Sequence, residues 1–255
     1  MSRESFLRAA RALVGIFLPS HESRVTSHAL AVALLLLAAA PQAPAGEAEW
    51  KALYDQSNVH FQRGDIEQAE AFSREALREA ERLGESNPAL ELSLLRTAYL
   101  LRLRGKAEEA APLAERAVKV ATRLYGAGDA RTALALQNQG EIQFARKRYA
   151  ESEALHRKAL AIFMKAYGEQ NFNTAVSLHN IGAMLYAQDK NQEAEKFLRR
   201  ALAIKEKVLK RDSLSVAHTL DQLAAVLDSL GRQLEAERYR KRAAGIKQKV
   251  QSGKA

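Results

Sequence analysis

The chain has 255 residues, 27% of them charged and only 6% aromatic, with a formal net charge of +9 at neutral pH. That composition suits an alanine-, leucine-, glutamate- and arginine-rich helical protein long enough for a continuous core. With no cysteine in the chain, structural disulfides, thiolate zinc sites, a cysteine nucleophile and a cysteine-linked lipid anchor near residue 45 are all excluded, while the compartment stays open.

Residues 1–45 stand apart from the rest of the chain. Ala29 to Ala40 is an unbroken apolar run preceded by Arg24 and followed by Pro41 and Pro44. It has the features of a signal-peptide core, with an A-x-A-like site at Ala43-Pro44-Ala45 and a mature start near Gly46. The expected outcome is an exported chain, periplasmic or secreted. A membrane anchor formed by residues 29–40 is the alternative, although twelve residues are short against the roughly 20 a spanning helix needs. An additional amphipathic stretch, Phe6 to Leu18, precedes the run. It is read as sequence upstream of the true start, as a long n-region, or as an organelle transit helix. Cleavage would remove four arginines and two glutamates, leaving 35 basic and 28 acidic residues, net +7.

From residue 46 onward the pattern predicts paired helices near 48–62 and 66–82, 90–104 and 107–123, 130–146 and 149–165, 172–188 and 191–208, and 214–230 and 233–249. Asn87-Pro88, Asp129, Asn171 or Asn173, and Asp212 or Ser213 are the candidate caps at the corners. Residues 251–255 read as a short basic tail. Arg238, Arg240, Lys241, Arg242, Lys247 and Lys249 crowd the last helix and read as a solvated terminal face or a site for an acidic partner. Nucleic acid is not expected, because no recognition module accompanies the charge.

Internal repetition organises these pairs. Ala133 to Gly140 (ALALQNQG) recurs 42 residues later as Ala175 to Gly182 (AVSLHNIG), and Tyr149 to Ile162 recurs as Asn191 to Ile204. A period of this size signals stacked units that bury their apolar faces on one another. Small residues fall at one first-helix position in all five units: Ser57, Ala98, Gly140, Gly182 and Ala224. They recur at Ala69, Ala110, Ser152, Ala194 and Ala236, and again at Ala76, Ala117, Ala159, Ala201 and Ala243. Helices can approach closely only where side chains are this small.

With Gly64, Gly105 and Gly231 at the turn inside three units, the pattern resembles the tetratricopeptide repeat over about residues 48 to 250. The longer period, Leu178-His179-Asn180-Ile181-Gly182 and Tyr167-Gly168-Glu169 resemble its kinesin light chain-type branch. Lys147 and Asp189 depart from it, standing at the turn where glycine sits elsewhere. The resemblance implies an all-α, right-handed α-solenoid of five helical hairpins, with repeats near 48–84, 90–126, 130–168, 172–210 and 214–249 in one domain, 46–250.

The same resemblance implies that the first helices line a concave groove. Its wall would carry Tyr54, Asp55, Asn58 and Phe61, then Arg96, Tyr99 and Arg102, then Gln137, Asn138, Glu141 and Phe144. His179, Asn180 and Tyr186 follow, and finally His218, Asp221, Gln222 and Asp228. Amides, aromatics and charges in this mixture suit a peptide. Asn138 and Asn180 match the family asparagine that contacts a ligand backbone; the other reading is that they only solvate the groove or bond neighbouring helices. The groove looks polarised, basic at Arg96 and Arg102 and acidic at Asp221 and Asp228. Tyr54 stands where a chaperone-tail clamp would need lysine.

Phosphate-loop, nucleophile-elbow and His-Glu-x-x-His motifs do not occur, and the six histidines form no i, i+4 pair. No enzymatic activity, cofactor or metal is therefore expected. The expected role is a non-catalytic scaffold binding a peptide segment or helical partner in the groove, with membrane contact only through an uncleaved N-terminal segment. The alternative is a structural adaptor of an envelope or secretion assembly that docks through its convex face or oligomerises.

Overall fold

The computed structural model describes residues 45–209 and 212–252. The apolar run at 29–40 and the segment at 6–18 lie outside the described residues, and of the proposed cleavage site only Ala45 lies within them. Ten helices occupy those residues: α1 (Ala45–Gln62), α2 (Ile66–Leu83), α3 (Pro88–Leu103), α4 (Ala107–Tyr125), α5 (Ala130–Ala145), α6 (Tyr149–Tyr167), α7 (Phe172–Ala187), α8 (Asn191–Val208), α9 (Leu214–Ser229) and α10 (Gln233–Gln251). Each consecutive pair is a hairpin, α1 and α2 joined by the turn at Gly64 and the Ser57–Ala69 bond and the other four by direct packing, and each hairpin packs on the next to form an α-solenoid. The first helices of the second and third hairpins, α3 and α5, also touch directly, as do α7 and α9.

All five hairpin turns close in one way. The residue after the helix cap takes a left-handed backbone, at Gly64, Gly105, Lys147, Asp189 and Gly231. Its amide reaches back three residues, as Lys147 N–H to Phe144 O at 2.8 Å. The following amide reaches back five, as Arg148 N–H to Gln143 O at 2.9 Å. This double closure satisfies the carbonyls that a helix end otherwise leaves open. Lys147 and Asp189 therefore hold φ values of 61° and 60° that cost an ordinary side chain roughly 1–2 kcal/mol, less for aspartate than for lysine. Lys147→Gly is expected to stabilise the fold by about 1 kcal/mol, with a smaller gain for Asp189→Gly. Urea midpoints of the two variants measure this, and a lowered midpoint for Lys147→Gly would contradict it.

The corners between hairpins use side-chain caps. Asn87 accepts from Ala89 N–H, Asp129 from Arg131 N–H, Asn171 from Asn173 N–H and Ser213 from Val216 N–H. Of the paired candidates, Asn171 and Ser213 hold the cap, and Asp212 instead meets Lys249 at 2.8 Å. Pro88 opens α3 where no amide partner is needed.

The repeated small residues are the joints of the core, buried wherever an alanine or serine occupies the position. The first and second of them face each other across a hairpin: Ser57 Oγ donates to Ala69 O at 2.8 Å, and Ser152 Oγ donates to Gly140 O at 2.7 Å. A β-carbon on Gly182 would lie 2.7 Å from Leu198 Cγ, and one on Gly140 would lie 2.8 Å from His156 Nε2. Overpacking keeps these two positions at glycine. The buried hydrophobic residues gather in a chain of local clusters, the largest spanning α7 to α10 around Leu198, Leu220 and Leu223.

Candidate functional site

The site arises from the register of the first helices. Arg102 on α3, Glu141 on α5, Asn180 on α7 and Gln222 on α9 line one cavity of about 170 Å³, together with Phe144, His156, Ala183 and Met184. Four successive hairpins thus present one continuous face. Arg102 Nη2 bonds Glu141 at 2.9 Å across the joint between units two and three. Burial raises the Glu141 carboxyl, and the Arg102 guanidinium opposes that rise.

Several polar atoms at this face are buried with no hydrogen-bond partner among the described residues: Arg102 Nε, Asn138 Oδ1 and both ring nitrogens of His156. His156 is 0% exposed, and burial alone pushes its pKa down to about 4, so its ring is neutral. It is an addition to the groove residues read from the sequence. It sits on α6, a second helix, and reaches the face because Gly140 opposite leaves room for it.

Further toward the first unit the groove is aromatic and basic. Phe61 and Tyr99 meet edge to face at 5.7 Å, with Arg96 over Phe61 at 4.5 Å and Arg102 over Tyr99 at 5.2 Å. Arg96 is also committed to the fold, its Nη2 donating to Ser57 O at 3.2 Å. Tyr54 tilts against Trp50 at 5.4 Å, and burial raises its phenol. Tyr54, Asn58 and Asn138 are partly exposed. Tyr186 accepts from Ser229 Oγ at 3.4 Å.

In units three and four the residue three before the first small position serves the joint rather than the groove. Gln137 is buried and its Nε2 donates to Ser177 Oγ at 2.9 Å. His179, its equivalent in the next unit, meets Thr219 Oγ1 at 3.2 Å through Nδ1. Thr219 spends its hydroxyl hydrogen on Ser215 O at 3.0 Å and accepts from Lys205 Nζ at 2.9 Å. His179 therefore donates from Nδ1. Burial with the nearby Lys205 charge pushes the His179 pKa down to about 3, and burial lowers Lys205 to about 8.

The expected charge polarity of the groove is corrected. Asp221 meets Lys247 at 2.6 Å, and Asp228 pairs with Arg240. Arg242 meets Glu206 at 2.5 Å. The basic residues of α10 are thus largely spent on acidic partners of this chain, brought within reach because α10 packs back on the array. Among the described residues no helix is long and apolar enough to cross a membrane, and no three histidine or carboxylate side chains stand close enough to hold a metal ion.

A hairpin solenoid with a polar, partly unsatisfied groove defines the class as a helical-repeat interaction scaffold. The tetratricopeptide repeat family profile matches residues 90–165, 131–207 and 173–249, and the chain belongs to that family. A search of the curated proteins finds no match. Among solved structures, BtubC (BKLC) from P. vanneervenii is 25% identical with a TM-score of 0.65, the match covering 76% of this chain and 78% of that one. A kinesin light chain-type protein of nearly identical TPR-like repeats from Podosopora anserina is 20% identical with a TM-score of 0.64, covering 80% and 97%. A Rap protein, solved in complex with Competence and Sporulation Factor, is 17% identical with a TM-score of 0.66, covering 80% and 56%. The last two likenesses concern the fold, which is kinesin light chain-like.

Proposed function

We propose that this chain is a non-catalytic scaffold that binds an extended peptide segment or a helical partner along the face of its first helices. One observation carries the reading. Four successive hairpins converge on a single cavity at Arg102, Glu141, Asn180 and Gln222, and the buried Asn138 Oδ1, one helical turn before Glu141, has no partner among the described residues. Buried polar atoms left open in this way are normally completed by something else. Amides at Asn138 and Asn180, one repeat apart, can meet a peptide backbone while Phe61, Tyr99 and Phe144 supply contact area. In this reading the chain is exported after cleavage near Ala45, or held at a membrane by residues 29–40.

Affinity capture from the native organism with the full chain, in parallel with the Asn138→Ala/Asn180→Ala variant, tests the reading. The expected result is a partner whose affinity falls tenfold or more in the variant, since each truncated amide leaves a peptide group unpaired. A partner held equally by both forms would refute groove binding.

A second reading, docking through the outer face, draws on α10. There Leu234 is 86% exposed beside a depression of about 450 Å³ lined by Arg238, Tyr239 and Arg242. Loss of the same partner on Leu234→Glu, with the asparagine variant unaffected, would favour it.

A further inference from the structure

His156 poses the question. Its position in the repeat is held by Ser73, Ala114, Leu198 and Arg240 in the other four units. Unit four places Leu198 there against Gly182, just as unit three places His156 against Gly140. The fold therefore accepts a plain leucine opposite glycine, and packing alone does not call for an imidazole. An imidazole buried with both nitrogens unpartnered among the described residues costs stability, and it lines the groove cavity together with Arg102.

We propose that this cavity is a specificity subsite for one carboxamide side chain, asparagine or glutamine, carried by the segment bound in the groove; the proposal rests on the groove-binding reading above. The hydrogen-bond inventory selects that chemistry. Arg102 Nε–H needs an acceptor, and a neutral His156 needs one acceptor for its N–H and one donor for its bare nitrogen. A carboxamide supplies both kinds on two separate atoms, as walls entering from α3 and α6 require. Its carbonyl accepts from Arg102 Nε–H and one amide hydrogen goes to the bare nitrogen of His156, with Asn180 and Gln222 lining the same cavity.

Competing side chains fail on the same inventory. A carboxylate has no hydrogen for the bare imidazole nitrogen and would crowd Glu141. An ammonium or guanidinium has no acceptor for Arg102 and is repelled by it. An aliphatic group leaves every orphan unmet. A hydroxyl must serve both walls from a single atom. At about 170 Å³ the cavity is below the roughly 300 Å³ at which small-molecule sites begin and matches a single side chain.

The test uses a random octapeptide display library panned on the full chain, on His156→Leu and on Asn138→Ala/Asn180→Ala. Selected peptides are then resynthesised and titrated by fluorescence anisotropy. His156→Leu copies unit four, so it keeps its fold, which far-ultraviolet circular dichroism checks. The proposal expects wild-type binders with asparagine or glutamine at one fixed position. Replacing that residue by glutamate or methionine should weaken binding tenfold or more, and His156→Leu should show the same loss and no carboxamide preference. Binders with no carboxamide, with a hydroxyl in its place, or held equally by His156→Leu would overturn the subsite and leave groove binding standing. No binders at all, or binders indifferent to the asparagine variant, would overturn both.

Discussion

Phe163→Ala is expected to cost about 3–5 kcal/mol, the largest loss of any single truncation in the solenoid. Phe163 is 0% exposed and, among the described residues, is the one phenylalanine, tyrosine or tryptophan in the set of largest fully buried side chains. It packs on Ala133, Leu136 and Ala159, with Leu155 and Ile162 beside it and Tyr167 stacked at 6.2 Å. Ala133 and Ala159 have no side chain long enough to reach into the void, so only the leucine and isoleucine walls can relax toward it. Measured against the 5–15 kcal/mol typical of a whole protein, the loss is severe.

Its position in the array makes the consequence more specific. Phe163 lies in the third of five hairpins, and a solenoid is coupled only between neighbours. Weakening the middle unit should uncouple α1–α4 from α7–α10, so urea unfolding followed by circular dichroism should change from one transition to two. A destabilisation below about 1 kcal/mol, or a single transition at the wild-type midpoint, would refute the assignment of Phe163 as the keystone of that unit. The equivalent residues in the other units are Ala80, Ala121, Lys205 and Lys247, so the same truncation elsewhere has no comparable effect.

The legible part of the sequence is the part that repeats. Small residues at three positions in five units identify where helices touch, because that constraint is local to each joint and recurs with the period. Asn87 and Asp129 announce their corners because a cap and its amide are two residues apart. The groove is legible as a register but not as a set of free side chains. Gln137 and His179 have the same register as genuine wall residues, yet each is spent on a hydroxyl 40 residues on, at Ser177 and Thr219. Asp221 is acidic in the sequence and neutralised in the fold, since Lys247 comes from the far side of a hairpin. His156 escapes the repeat register because it lies on a second helix, to which that register assigns no groove role. The signal it does leave is a histidine standing in a column of serine, alanine, leucine and, in the last unit, arginine, opposite a glycine that makes room for it.

His156→Leu is expected to stabilise the protein at neutral pH by about 1–3 kcal/mol, because it removes a buried polar ring whose nitrogens bond nothing among the described residues. The gain should grow in acid. In the folded chain His156 holds a pKa of about 4, against 6.5 when exposed. Between those values the unfolded chain binds a proton that the folded chain refuses, so stability falls as pH falls, by about 1.4 kcal/mol per pH unit. At pH 5 the advantage of the leucine variant should exceed its neutral value by about 2 kcal/mol. His179 acts in the same direction, with its pKa lowered to about 3. Glu91, 4% exposed, opposes both: burial raises it to about 7, so it binds its proton first in the folded chain and favours folding as pH drops from 7 toward 4.5. The wild-type profile is therefore a partial cancellation, and only the difference between variant and wild type isolates His156. Urea titrations of both proteins at pH 7.5, 6 and 5 give that difference directly. A difference that stays flat across the range would mean that the imidazole has found a proton or a partner in the folded chain, and the account of His156 as a buried, neutral and unsatisfied ring would fail.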